Sequence, residues 1–163
     1  MAVQNAQELF LYKLAEMYDV EQKLTQVLPV LIKEVDNQAA REVLSEHEQE
    51  TRQHARNIEQ CFQILGTQPM AVECQAVKGL KMDHDMFVQQ QPSPTILTKF
   101  DLKAACDSET MEIAKYSGLI DDALNLGFLQ VVPILHENKL QEEVVDKKVA
   151  KISHELTKQL VKR

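Results

Sequence analysis

Glu21 stands where a core residue belongs. Met17 lies a turn before it and Leu24 a turn after, within a series Phe10, Leu14, Met17, Glu21, Leu24, Leu28 and Leu31 spaced by alternating fours and threes, the signature of one helix face. An ionised carboxylate left unpaired in an apolar interior costs several kcal/mol, so such a group is neutralised, ion-paired or bound to a cation. Three other segments put acidic or imidazole groups at mid-length on stripes of the same kind: His47, Glu50 and His54, then Glu109 and Glu112, then Glu142. Spacings of three and four let His47, Glu50 and His54 meet on one face, and Glu109 with Glu112 likewise. Several carboxylates can neutralise two divalent cations, and oxygen donors with added imidazole suit iron or manganese. Redox chemistry toward peroxide or oxygen would then live on the metal. Each member also has an ordinary reading. A phase shift of one residue exposes Glu112, exchanges Glu142 for Glu143, or brings Thr51 inward in place of Glu50, and a lone His47 or His54 is more often structural than a ligand.

The elements that must carry these groups are helices. Only 4 Gly, 5 Pro and 5% aromatic residues, against abundant Glu, Gln, Lys, Leu and Ala, is a helix-forming inventory and a poor one for strands. Asn5 followed by Glu8 signals a helix start, and the first helix is expected over about 6 to 35, kinked near Pro29. The second spans about 38 to 65 with Gly66 as its stop. Residues 67 to 98 read as a crossover with a short helical piece around 71 to 89, bounded by Gln68-Pro69 and Pro92-Ser93-Pro94. The third long helix covers about 96 to 125, and the fourth starts between Phe128 and Pro133 and runs to the C-terminus. Four long helices linked short, long, short form an all-α, ferritin-like four-helix bundle in which the second and third long helices run parallel. The 163 residues, 44% hydrophobic, suit a single domain over 1 to 163 with one core.

Composition also narrows function. A net charge of −7, with no basic stripe interleaved with aromatics, disfavours nucleic-acid binding. Nothing approaches the roughly 20 apolar residues of a membrane span, and the N-terminus lacks a basic flank and apolar run, so a cytoplasmic protein without a membrane partner is expected. Cys61, Cys74 and Cys106 form no Cys-x-x-Cys pair and fit reduced thiols. Asp83-His84-Asp85 has the residue types to ligate a metal, but adjacent helical residues point in different directions, so a solvated turn of the crossover is the expectation. His136, Glu137 and His154 read as surface groups. No phosphate loop or nucleophile elbow is present.

The run Leu14 to Leu24 with Val27-Leu28-Pro29, the segment His47 to Arg52, the segment Met111 to Tyr116 and the segment Leu140 to Glu143 together resemble the YciE/YciF-type stress proteins, a bacterial ferritin-like family. The likeness spans nearly the whole chain. It implies a bundle, commonly a homodimer, with a dinuclear metal centre related to those of rubrerythrin and manganese catalase. By that resemblance Glu21, Glu50, Glu112 and Glu142 or Glu143 match the glutamates of the four helices, and Glu109 an extra carboxylate. The usual Glu-x-x-His pairs are missing: Gln53 follows Glu50, and Val145 and Asp146 follow Glu142 and Glu143. His54 and Asp146 are the substitutes the resemblance suggests. The expected ligand set is therefore Glu21, Glu50, His54, Glu109, Glu112, Glu142 and Asp146, holding iron or manganese. The competing expectation is a non-catalytic helical dimer with a vestigial site, acting in stress protection through partner binding.

Overall fold

In a computed structural model, which describes residues 3–162, the chain forms five helices: α1 (Ala6–Glu34), α2 (Gln38–Ile64), α3 (Gln75–Val88), α4 (Pro94–Leu126) and α5 (Val132–Val161). Each boundary has a local cause. The Asn5 side chain accepts from the Glu8 amide at 2.9 Å, and Glu8 returns a carboxylate to the Gln4 amide at 2.7 Å, satisfying donors that the first turn leaves free. Pro29 lies inside α1, which continues past it to Glu34. Asn37 caps α2 through the Ala40 amide at 2.9 Å. Replacing Asn37 by Ala should cost about 1 kcal/mol, a fall of about 3 °C in thermal unfolding, while Asn37→Gly should cost only a few tenths. Circular dichroism melts of the two variants check the pair. Gly66 and Gly127, with φ of 72° and 77°, turn the chain out of α2 and α4 in the left-handed conformation that side-chain-bearing residues resist. Pro133 falls in the first turn of α5, where its missing N–H is no loss.

The four long helices surround one core, with α1 beside α2 and α4, and α5 beside α2 and α4. Cross-helix pairs give the directions. Phe10 meets Phe128 and Tyr116 meets Glu21, so α1 and α4 run antiparallel. His54 meets Gln141 and Glu46 meets Lys148, so α2 and α5 do too. With Tyr18 against Phe62 in α1 and α2, the parallel relation of α2 and α4 expected from the long crossover follows. Fully buried Phe10, Leu14, Met17, Leu44, Ile58, Phe62, Leu102 and Leu135 fill the interior around the polar layer. Removing one such side chain would cost about 2–5 kcal/mol.

The short helix begins later than the sequence pattern suggests, at Gln75 in place of 71. Residues before it are held extended against α1: the Val72 amide donates to the Ala15 carbonyl at 3.1 Å, and the Cys74 amide to Asp19 at 2.7 Å. The crossover helix α3 then lies over α1 and α4, burying Val77 and stacking Phe87 on Phe100 with ring centroids 4.0 Å apart. Among the described residues no helix is long and apolar enough to cross a membrane.

Candidate metal centre

At mid-height the bundle buries Glu21 from α1, His47 and His54 from α2, Glu109 and Glu112 from α4, and Glu142 from α5, all at 1% exposure or less. They form two facing groups that share Glu142. In one, His54 Nδ1 lies 2.8 Å from Glu142 Oε1 and 3.5 Å from Glu21 Oε1. In the other, His47 Nε2 lies 3.0 Å from Glu109 Oε1 and 3.9 Å from Glu142 Oε2. Within each triad the ligand-type atoms all fall within 4.8 Å of one another. Glu112 stands beside them, one oxygen accepting from Ser108 Oγ at 2.8 Å.

Surrounding groups fix these side chains in orientations that suit a ligand role. Gln141 Oε1 sits 2.7 Å from His54 Nε2, so Nε2 donates to it and Nδ1 is left facing the two carboxylates. Tyr116 donates its hydroxyl proton to Glu21 and accepts from Asn138 Nδ2 at 2.9 Å; Asn138 in turn accepts from Asn57 at 2.6 Å, and Asn57 from Gln53 at 2.8 Å. This chain of amides ends at the bundle surface. On the inward side, Glu21 Oε2, Glu109 Oε2, Glu112 Oε2 and Glu142 Oε2 are buried without a hydrogen-bond partner, as is His47 Nδ1.

Burial dominates the electrostatics. It raises the Glu21 carboxyl, pushes Glu109 and Glu142 up to about 7, and lifts Glu112 well above the carboxylate range with help from the neighbouring Glu142 and Glu21 charges. Burial alone would depress His54, but hydrogen bonds and charge from Glu142 and Glu21 override it and push the ring up to about 11. The cluster therefore holds more protons than its members would in water. Divalent cations are the natural replacement for those protons, and the orphaned oxygens fit them.

Of the expected ligands, Glu21, His54, Glu109, Glu112 and Glu142 are brought together, and the choice between Glu142 and Glu143 resolves: Glu143 is half-buried and paired with Lys139 at 3.2 Å. Glu50 and Asp146 belong to neither triad and are half-buried at the rim of this layer, although Glu50 Oε2 is buried without a hydrogen-bond partner and feels the charge of His47 and His54. On α2 the inward stripe passes through His47, Thr51 and His54, all fully buried, and at 100° per residue Glu50 stands roughly 60° round from His47. Its carboxyl is raised by burial, and it lines the groove between α2 and α5 with Glu46 and Lys148. Thus Thr51 with His54 holds the i, i+3 position, and a hydroxyl stands where a carboxylate was expected. Asp146 lies toward Cys106 and Lys103, acting on Glu109 only through its charge. His47, left without a role by the sequence, is a full member of the second triad. His136, Glu137 and His154 are exposed, as read.

Residues 5–162 match the family model described as a domain of unknown function, DUF892. Protein YciF of Escherichia coli K12 is 23% identical over 154 residues, covering 94% of this chain and 93% of YciF. Among solved structures, YcfI from Rhodopseudomonas palustris superposes with a TM-score of 0.89 at 30% identity, over 91% of this chain and 94% of that one. The crystal structure of the Escherichia coli stress protein YciF superposes with a TM-score of 0.89 at 22% identity, over 95% and 98%.

Proposed function

The chain belongs to the DUF892 family and is of the YciE/YciF type, and on that premise we propose that it is a metal-binding stress-response protein whose buried carboxylate layer holds two iron or manganese ions and handles peroxide or oxygen. One observation carries the reading: four fully buried glutamates and two histidines from four helices converge, with at least one oxygen of every glutamate lacking a hydrogen bond. Glu21, His54 and Glu142 would hold one ion, and His47, Glu109 and Glu142 the other, with Glu142 shared and Glu112 adjacent. Bound iron or manganese would supply the redox capacity that no side chain here has. The protein's own share is to exclude water, to keep His54 Nδ1 inward through Gln141, and to hold Glu21 in place through Tyr116. The same reading takes the protein to be a cytoplasmic homodimer, supported by the family likeness and by cysteines that are all unpaired.

The direct test is metal per chain by plasma mass spectrometry on protein purified without chelator and after anaerobic loading with iron or manganese. About two ions per chain are expected from the carboxylate-bridged architecture, and both Glu21→Ala and Glu112→Ala should lower that number. Unchanged content in Glu21→Ala would refute the ligand assignment. A chain that retains no metal after loading would favour a second reading, a non-catalytic helical dimer acting through partner binding. Val145 supports that alternative: it is buried on the inner face three residues after Glu142, where a Glu-x-x-His pair would carry its histidine.

A further inference from the structure

A second cluster of the same chemistry lies outside that centre, and we propose that Glu34, His84 and Asp101 form a separate, mononuclear site for a divalent transition-metal cation where α3 crosses α1 and α4. His84 Nε2 is 2.9 Å from Glu34 Oε2 and 3.5 Å from Asp101 Oδ1, and the three ligand-type atoms lie within 4.8 Å of one another. Asp101 is the independent observation. It is 0% exposed, is aimed at His84, and neither of its carboxylate oxygens has a hydrogen-bond partner. A buried carboxylate in that condition wants either a proton or a cation.

The imidazole is set up for the cation. His84 Nδ1 faces Asp85 Oδ1 at 3.4 Å, and Asp85 is itself held by Lys81 one turn earlier. An Nδ1–H directed to Asp85 leaves the Nε2 lone pair pointing between Glu34 and Asp101, the arrangement by which a carboxylate behind a histidine orients and strengthens a ligand. Two carboxylates and a neutral imidazole carry a charge that one divalent ion cancels, and the mixed nitrogen and oxygen donors favour manganese, iron, cobalt or zinc over magnesium or calcium. The site is reachable, since Glu34 and His84 are only partly buried and His84 lines a surface groove between α1 and α3 with Lys81 and Asp85. A cavity of about 50 Å³, walled by Leu28, Leu31 and Ala105, separates His84 from His47 and Glu109, so the two sites are neighbours without sharing a ligand.

Cobalt(II) is the probe, added to the chelator-stripped full-length chain and followed by isothermal titration and by the paramagnetically shifted imidazole protons in NMR. A Glu21→Gln, Glu142→Gln double variant should keep about one bound cobalt with a shifted, exchangeable Nδ1–H, and adding His84→Gln or Asp101→Asn should abolish both. Asp85→Asn, which removes only the orienting carboxylate, should weaken binding roughly tenfold. If the double variant does not fold, the comparison is wild type against His84→Gln, and the count should fall by one. An unchanged count and unchanged shifted protons in His84→Gln would overturn the site, as would a folded double variant that binds no cobalt. Either result would make the trio an ion cluster that clamps α3 onto the bundle. Failure of the central metal centre reads out differently, as wild type and double variant binding the same single ion.

Discussion

At pH 8 and without metal, Glu112→Gln should unfold at a higher temperature than wild type, and should lose most of the stabilisation that manganese confers. Glu112 is fully buried beside Glu142, Glu21 and Glu109, and its raised pKa records the cost of ionising it there. Gln has nearly the same shape, keeps an acceptor for Ser108 Oγ, and offers two N–H donors to carboxylates that now lack partners. Removing an uncompensated buried charge by a neutral isostere is worth on the order of 1–3 kcal/mol, a rise of roughly 2–12 °C for a chain of this length. The ligand-bound comparison runs the other way. A site filled at 100 times its dissociation constant stabilises the wild type by about 2.7 kcal/mol, and the variant, with a weaker ligand next to both ions, should gain little. Thermal melts with and without manganese give all four numbers. A metal-free variant less stable than wild type would mean that the carboxylate is already compensated within the protein, and the layer would then be a polar network with no cation to wait for.

Glu21 was legible in the sequence because apolar residues flank it on both sides of its stripe, so any phase that buries Phe10 and Leu31 buries Glu21 as well. The bundle and its parallel α2 and α4 were legible for a similar reason, since long periodic segments and one long link leave few topologies. Helix phase was the limit elsewhere. Glu50 and Thr51 are adjacent, and only the packing of α2 against α5 decides that the hydroxyl faces the centre and the carboxylate the groove. Asp101 is within reach of the periodicity, since it lies one turn before Ala105 on the buried stripe that carries Glu109 and Glu112. His84 shows its ligand chemistry in the sequence but not its direction. Flanked by Asp83 and Asp85 it reads as a solvated charge run, and it turns inward only because Phe87 stacks on Phe100 and settles α3 over α1 and α4. That is a tertiary fact with no periodic trace.

Proton linkage gives the second large effect: the metal-free protein should become less stable as pH rises from 5 to 8, whereas the manganese-loaded protein should not. Glu109, Glu142 and Asp101 are pushed by burial up to about 7, and Glu21 and Glu112 are raised as well, so between about 4.5 and 7 the folded chain keeps protons that the unfolded chain has released. A folded state that binds more protons loses stability as pH rises. His54 adds to the trend with the same sign. Its contribution is complete below the unfolded value of about 6.5 and is lost as pH climbs through the folded value of about 11. Partly buried carboxylates such as Glu16, lowered despite the opposing effect of burial by its bonds to Lys13 and Lys115, have the opposite sign, but their contribution is complete above the unfolded value of about 4.5 and stays flat across this window. The net loss should be on the order of 3 kcal/mol across the window, since the buried groups titrate together and their individual contributions do not add. Metal reverses the sign, because cations compete with protons for the same oxygens and bind more tightly as those protons leave. Denaturant titrations at pH 5, 6, 7 and 8, with and without manganese, should therefore give two lines that diverge toward high pH. Parallel lines would mean that manganese does not displace the protons of this layer, and the metal assignment would fall with them.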